Sequence, residues 1–204
     1  MLILFIGPQA SGKGTQAEII AQKKGFVHIS TGDLLRVAQG KLKEKVDSYI
    51  NEGKLVPDEL ILEILKHRMN QPDCKKGIIL DGFPRNLEQA RDLEKIAKID
   101  KIFEISISDK TAKKRLMGRW NCPRCKTAYN IITEPKPKKD KICDICNIPL
   151  FQREDDKNEK AINKRLKIYH EETEPILEKF KNKVIKINAE QKIEKIREDI
   201  LTKL

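Results

Sequence analysis

The sequence of 204 residues lacks any long apolar run. No uninterrupted hydrophobic stretch approaches the roughly 20 residues that a membrane-spanning helix needs. The apolar run Leu2–Ile6 at the start lacks both the length and the basic flank of a secretory signal. We therefore expect a cytoplasmic protein without membrane contact. The 39% of hydrophobic residues can still bury one substantial core that carries a small insert.

Acidic residues are too few to balance the basic ones. The chain has 42 Lys and Arg against 31 Asp and Glu, which gives a formal net charge of +11 at pH 7. Such an excess attracts anions, and nucleotides, nucleic acid and an acidic membrane surface all qualify. Much of the excess is lysine in stretches of helical period, where a solvated surface accounts for it. Charge alone therefore does not choose among these partners.

Short apolar, β-branched runs alternate with segments of helical periodicity along most of the chain. This alternation predicts an α/β fold in which helices flank a parallel β-sheet. Two regions interrupt the pattern: roughly 31–56 reads as a small helical excursion, and 121–150 reads as an insert without helical period. The runs predicted as strands are 2–6, 26–29, 77–80, 101–107 and 184–187.

The segment GPQASGKGTQ follows the first predicted strand and opens a helical pattern. A glycine-rich turn at this place exposes backbone N–H groups at a helix N-terminus, where they hold phosphate oxygens. Gly7 and Gly12-Lys13 have the spacing of a phosphate loop, and Lys13 can reach the outer phosphates. Ser11 or Thr15 offers a hydroxyl to magnesium, although Thr15 comes one place late, after Gly14.

A second polar segment follows the predicted strand at 77–80. Asp81 comes at the end of this buried run, which places its carboxylate at the edge of the sheet where ligands bind in such folds. We expect it to hold magnesium through water. Taken alone, an aspartate after a strand is more often a turn residue or a helix cap, so the phosphate loop is what favours the metal role.

Four of the five cysteines form two Cys-x-x-Cys pairs, Cys122 with Cys125 and Cys143 with Cys146. Seventeen residues separate the pairs, which lies within the range of a four-thiolate zinc site. With four protein ligands the zinc has no open position, so its role would be structural. The alternatives are unmetallated cysteines or a redox pair, and a redox pair would not need a partner pair.

These motifs together resemble the adenylate kinases of the bacterial long-lid type. The resemblance implies the P-loop nucleoside monophosphate kinase fold: a core at 1–29, 57–117 and 154–204, a small helical NMP-binding domain at 30–56, and a zinc-binding lid at 118–153. The segments that carry it occur in family order and are GPQASGKGTQ, Ser30-Thr-Gly-Asp-Leu-Leu-Arg36, Gly53-Lys-Leu-Val56, Asp81-Gly-Phe-Pro-Arg85 with Gln89, Arg115-Leu-Met-Gly-Arg119, and Arg153-Glu-Asp-Asp156 with Arg165.

The resemblance also implies roles for individual residues, in the transfer of a phosphoryl group from MgATP to AMP. Those expected to bind AMP are Thr31, Arg36, Lys54, Leu55, Val56, Gly82, Arg85 and Gln89, joined at the point of transfer by Arg153 and Arg165. Those expected to bind ATP are Gly12, Lys13, Gly14, Thr15, Arg115, Arg119, Ala128, Tyr129 and Gln191. Those expected to act in catalysis are Lys13, Arg85, Arg119, Arg153 and Arg165. Magnesium would be held by Asp81 and Thr15, through water or the nucleotide.

The residue inventory suits this chemistry. An AMP phosphate oxygen is already anionic at neutral pH, so no general base is needed and catalysis becomes positioning and charge neutralisation. Accordingly, none of the three histidines lies in a motif. One departure concerns the phosphate loop, where the family usually carries Pro and Gly in place of Gln9 and Ala10. We expect the lost glycine to restrict the loop and to affect rate more than function.

Two other functions stay open at this point. A pyrimidine monophosphate kinase shares the phosphate loop and the arginines, but Gln89 and the long lid favour AMP. A zinc-knuckle nucleic-acid-binding protein could use the basic strip at 136–141, but it would not need Asp81-Gly-Phe-Pro-Arg85. We expect a monomer whose partners are ATP, AMP and ADP, with Mg²⁺ and structural Zn²⁺ and no nucleic acid.

Overall fold

The computed structural model of the protein describes residues 1–32, 34 and 57–204. Five parallel strands form the main sheet in the order β2-β3-β1-β4-β7, and two antiparallel strands, β5 and β6, form a second, smaller sheet. The strands are β1 Leu2–Ile6, β2 Val27–Ser30, β3 Ile78–Asp81, β4 Lys101–Ser106, β5 Arg119–Asn121, β6 Ala128–Asn130 and β7 Val184–Asn188. The five runs predicted as strands are thus all confirmed, with ends that move by at most one residue.

Helices fill most of the connections between the strands of the main sheet. The α-helices of the described part are α1 Lys13–Lys24, α2 Asp58–Met69, α3 Leu87–Ile96, α4 Asp109–Met117, α5 Glu159–Ile168, α6 Pro175–Lys179 and α7 Ile193–Leu201. A π-helix, Tyr169–Thr173, joins α5 to α6, and short 3₁₀ helices span Pro72–Lys75, Glu154–Asp156 and Lys181–Lys183. None of these helices is long and apolar enough to cross a membrane.

The core lies on both faces of the main sheet because β1, the central strand, is buried throughout. Leu2, Leu4 and Ile6 face a cluster that includes residues of α2, α3 and α6, whereas Ile3 and Phe5 face a cluster built with α1 and α7. Burying a side chain of this size contributes about 1.5–3 kcal/mol. The prediction of a parallel sheet with helices on both faces is confirmed.

The insert between α4 and α5 has a separate small core. The smaller sheet pairs Arg119 with Asn130 and Asn121 with Ala128, and the buried cluster of the insert is Cys122, Tyr129, Cys143 and Leu150. The predicted helical excursion at 31–56 lies outside the described residues except for 31, 32 and 34, and with it Arg36, Lys54, Leu55 and Val56.

Candidate active site

The candidate site lies at the carboxyl edge of the main sheet. The chain passes from β1 to β2 and β3 on one side of β1 and then crosses to β4 on the other side. Parallel sheets bind ligands where the connections diverge in this way. Gly7 follows β1 directly at this point, and Asp81 ends the neighbouring strand β3.

The phosphate loop is closed by the side chain of Lys13. Its Nζ donates to the carbonyl oxygens of Gly7 at 2.7 Å and Pro8 at 2.9 Å. Gly12, with a φ of 94°, turns the chain into α1, so that the N-terminus of the helix faces the loop. A Cβ on Gly7 would collide with the carbonyl oxygen of Ile105, which restricts that position to glycine. Backbone N–H groups and one ammonium group are thus gathered where phosphates would bind.

The charges near Lys13 make the loop strongly attractive to anions. Burial lowers the pKa of Lys13 to about 8; Asp81 opposes this shift, and the cationic Arg119, Arg85 and Arg165 add to it. One carboxylate, Asp81, and three further cations therefore act on Lys13, and of these cations Arg119 and Arg165 are also ion-paired with Asp156. A phosphate group entering here would relieve the repulsion among them.

Ala10 adopts a backbone conformation that favours glycine, with a φ of 59°. A residue with a Cβ costs about 1–2 kcal/mol in this region. Its methyl group packs against the cluster of Ala112, Leu116, Ile162 and Leu166, which offsets part of the cost. The loop therefore keeps a left-handed residue at this position although the glycine is lost. The neighbouring Gln9 has a buried Oε1 without a hydrogen-bond partner among the described residues.

Asp81 lies against the start of α1. A Cβ on Gly14 would come 3.3 Å from Asp81 Oδ2, so Gly14 allows the carboxylate to approach the loop. Thr15 is exposed one position further along the helix. On the other side, Nε2 of His28 lies 3.9 Å from Asp81 Oδ2. These positions fit a magnesium ion between the carboxylate and a loop-bound phosphate.

Three hydrogen bonds hold Arg85, which lies in the turn after β3. Its Nε donates to the carbonyl oxygen of Gly82 at 2.8 Å, and its backbone N–H donates to Gln89 Oε1 at 2.7 Å. The Thr173 hydroxyl, from the π-helix, donates to the Arg85 carbonyl oxygen at 2.6 Å. The buried Thr31 donates to the carbonyl oxygen of Asp81 at 3.1 Å. Both backbone polar groups of Arg85 are therefore fixed.

The side-chain amide of Gln89 is held by hydrogen bonds at both its oxygen and its nitrogen. Besides accepting from Arg85, it donates from Nε2 to Asp58 Oδ1 at 2.8 Å, and the residue is 7% exposed. A primary amide has two N–H donors and two acceptor lone pairs. One of each therefore remains for a ligand.

Arg119 and Arg165 meet on one carboxylate that was not among the candidates. Asp156, whose side chain is fully buried, accepts from Arg119 Nε at 2.8 Å and Nη2 at 2.9 Å, and from Arg165 Nη1 at 2.9 Å. Arg165 also pairs with the exposed Asp155 at 2.8 Å. The signal available in the sequence was the acidic run that follows Arg153. Arg153 itself is exposed and immediately precedes the 3₁₀ helix that carries Asp156.

The other residues expected to bind ATP are Arg115, Gln191, Ala128 and Tyr129. Arg115 donates to the carbonyl oxygens of Ala189, at 2.9 Å, and Ala10, at 3.4 Å. It thereby joins the phosphate loop to the segment that contains Gln191. The Gln191 side chain donates to Asp199 Oδ2 at 3.0 Å. In β6, Ala128 is exposed, whereas Tyr129 is buried and accepts from the backbone N–H of Asp144 at 3.0 Å.

The four paired cysteines form two turns of the same local geometry. In each turn the second cysteine donates its N–H to the first cysteine's Sγ, at 3.5 Å in one and 3.4 Å in the other. Each is followed by a residue of positive φ, Lys126 or Asn147, whose N–H bonds the first cysteine's carbonyl oxygen.

The sulfur atoms converge on one point. All four Sγ atoms lie within 4.8 Å of one another, and Cys125 Sγ is 3.6 Å from Cys143 Sγ. Tetrahedral zinc with bonds of about 2.3 Å places its sulfur ligands about 3.8 Å apart. Hydrogen bonds with Thr127 lower the pKa of Cys125 to about 6, whereas burial raises the pKa of Cys146 to about 12. All four sulfurs would ionise together only with a cation between them, and the donor set fits zinc.

Comparison with known proteins identifies relatives over almost the whole chain. Residues 5–185 match the family model for adenylate kinase. A curated adenylate kinase of Caldicellulosiruptor saccharolyticus is 45% identical over 93% of this chain and 91% of its own length. An adenylate kinase of Acetivibrio thermocellus is 42% identical over 100% of this chain and 98% of its own length. One of Archaeoglobus fulgidus is also 42% identical, over 91% of this chain and 88% of its own length.

Proposed function

The chain belongs to the adenylate kinase family and reversibly transfers the terminal phosphoryl group of MgATP to AMP, and we propose how its own residues carry this reaction. The observation that supports the assignment of roles is the common electrostatic field of Lys13, Asp81, Arg85, Arg119 and Arg165 beside the phosphate loop. Such a cluster neutralises negative charge that is shared between two nucleotides.

The two nucleotides would bind on either side of Lys13. The phosphate loop with Gly12, Gly14 and Thr15 would hold the ATP phosphates. Arg85, whose backbone is fixed by hydrogen bonds to Gln89 and Thr173, would hold the phosphate of AMP. Since an AMP oxygen attacks without losing a proton, the protein's task is to align the two phosphates and to exclude water. Asp81 and Thr15 would hold the magnesium ion of MgATP, which supplies further positive charge.

Arg119 and Arg165 would act at the transferring group. Their shared partner Asp156 fixes both guanidinium groups, whose charges act on Lys13. Preorganised cations lower the barrier because they need little reorganisation during transfer. Arg153, which begins the same 3₁₀ helix, would join them.

The remaining candidates would complete the two nucleotide sites. Arg115, with the backbone near Gln191 and the lid residues Ala128 and Tyr129, would enclose ATP. Arg36 and the segment at 54–56 would enclose AMP together with Thr31 and Gly82. We propose that 30–56 is the NMP-binding domain and that 118–153 is the lid.

The lid's cysteines would hold a structural zinc ion. Four thiolates saturate tetrahedral zinc, so water and substrate have no place on the metal. The small cluster of Cys122, Tyr129, Cys143 and Leu150 is too little to stabilise this segment alone. Bound zinc would therefore order the lid, which includes Arg119.

The choice of AMP rests on Gln89. Its remaining donor and acceptor match the ring N1 and the 6-amino group of adenine. The test is diphosphate formation from MgATP with AMP, CMP, UMP and GMP in turn. AMP should be used best, and equal or better use of CMP or UMP would favour a pyrimidine kinase.

We also propose a cytoplasmic monomer that does not bind nucleic acid. One side chain of the basic strip at 136–141 has a partner within the lid, since Lys141 Nζ lies 5.0 Å from the centre of the Trp120 ring. Retention on DNA or RNA at physiological salt would contradict this proposal, and light scattering would test the oligomeric state.

A further inference from the structure

Gln89 lies between two groups of opposite hydrogen-bonding character. The backbone N–H of Arg85 can only donate, and it meets Gln89 Oε1 at 2.7 Å. The carboxylate of Asp58 can only accept when ionised, and it meets Gln89 Nε2 at 2.8 Å. These two partners determine which way the amide points.

A rotated amide would be mismatched at both ends. Its nitrogen would face the Arg85 N–H, donor against donor, and its oxygen would face the Asp58 carboxylate, acceptor against acceptor. Unpaired polar groups in a largely buried place are costly, and Gln89 is 7% exposed. The rotated orientation is therefore strongly disfavoured while both partners are present.

The orientation of the amide matters for the base it meets. Adenine offers an acceptor at N1 and a donor at its 6-amino group, whereas a 6-oxopurine offers a donor at N1 and an acceptor at O6. An amide that pairs with one pattern must rotate to pair with the other. An amide of fixed orientation thus distinguishes the two classes of purine.

We propose that Asp58 is a positioning residue that fixes the Gln89 amide and thereby sets the preference for 6-aminopurine over 6-oxopurine monophosphates. This inference rests on the proposed contact of Gln89 with the base. Asp58 reaches the site because it is the first residue of α2. It acts through Gln89 and need not touch the nucleotide.

The variant Asp58→Asn tests the inference, with Glu59→Gln as its matched control. An asparagine keeps the size of Asp58 but can present either a donor or an acceptor, so it tolerates both orientations of Gln89. Glu59 is an exposed acid in the same first turn of α2, so its variant loses the same charge at the same helix end. The measurement is kcat/KM for AMP and for IMP, which differs from AMP only in carrying the 6-oxo pattern.

In Asp58→Asn the AMP-to-IMP ratio should fall about tenfold, which corresponds to about 1.4 kcal/mol. KM should change for the monophosphate and stay unchanged for ATP. Glu59→Gln should keep the wild-type ratio. An unchanged ratio in Asp58→Asn, or equal losses with AMP and IMP, would show that Asp58 only supports the fold and would overturn the inference.

The variant Gln89→Met separates this inference from the proposed contact with the base. If Gln89→Met loses the AMP preference while Asp58→Asn keeps it, Gln89 reads the base and the positioning role of Asp58 is refuted. If Gln89→Met keeps the preference, the proposed contact itself is wrong, and the inference fails with it. Thermal melting of each variant excludes unfolding as the cause.

Discussion

Replacing Asp156 by asparagine tests whether one buried carboxylate organises the catalytic arginines. The change keeps the size of the side chain and removes its charge. It also replaces an acceptor oxygen by an NH₂ group that faces guanidinium donors. Arg119 and Arg165 would then lose their shared anion, although Arg165 keeps Asp155.

The size of the effect follows from burial. Removing one partner of a buried ion pair costs about 3–5 kcal/mol, because the other charge is left without compensation. The Asp156 side chain is 0% exposed, but those of Arg119 and Arg165 are 16% and 22% exposed and keep some contact with water. We therefore expect the low end, about 3 kcal/mol. For a chain of this length that lowers Tm by about 6–12 °C.

Asp155→Asn is the matched control. Asp155 lies in the same 3₁₀ helix and pairs with the same arginine, but its side chain is 49% exposed. Exposed pairs contribute about 0–1 kcal/mol, so Tm should fall by less than about 4 °C.

Calorimetric melting and steady-state kinetics decide between the two outcomes. Asp156→Asn should also lose about 10²-fold in kcat, since preorganised donors at the transferring group lose their alignment. Equal losses of Tm and kcat in the Asp155 and Asp156 variants would refute the argument from burial.

Three further predictions concern the phosphate loop, the lid and the arginine turn. The pKa of Lys13 is lowered to about 8, and a bound phosphate would raise it. Lys13 should therefore take up most of one proton when MgATP binds at pH 8.5. At pH 6.5 it is already protonated and should take up almost none. Titration calorimetry in two buffers of different ionisation enthalpy measures the uptake, and an equal uptake in Lys13→Met would contradict the assignment. Cys143→Ser should lower zinc content from about one per chain and raise KM for ATP while the main sheet still folds, since zinc orders the lid; a variant with wild-type melting and ATP dependence would show that the cysteines do not hold it. Thr173→Val removes the hydroxyl that bonds the Arg85 carbonyl oxygen and should raise KM for AMP about fivefold, corresponding to about 1 kcal/mol. Thr173→Ser keeps the hydroxyl and should have the wild-type KM for AMP. The control Thr202→Val removes a similar bond, from a hydroxyl to the Asp199 carbonyl oxygen, and should leave this KM unchanged. A raised KM in Thr173→Ser would argue against the bond to Arg85.

The parallel sheet, the phosphate loop and the paired cysteines could be predicted from the sequence alone. Each depends on residues that are close together along the chain: a buried run of four to six residues, the spacing of Gly7, Gly12 and Lys13, or two cysteines three positions apart. Local spacing determines backbone direction, and so it also determines which groups a short segment can present.

The tertiary structure alone decided which side chains pair across the fold. Asp156 is 37 residues from Arg119, Asp58 is 31 from Gln89, and Thr173 is 88 from Arg85. No periodicity links residues at such distances; packing on the sheet brings them together. The same holds for Ala10, whose left-handed backbone is accompanied by packing against residues of α4 and α5. The local sequence pattern therefore identified the side chains that would bind the phosphates. The residues that hold those side chains in place, such as Asp156, come close to them only when the chain is folded.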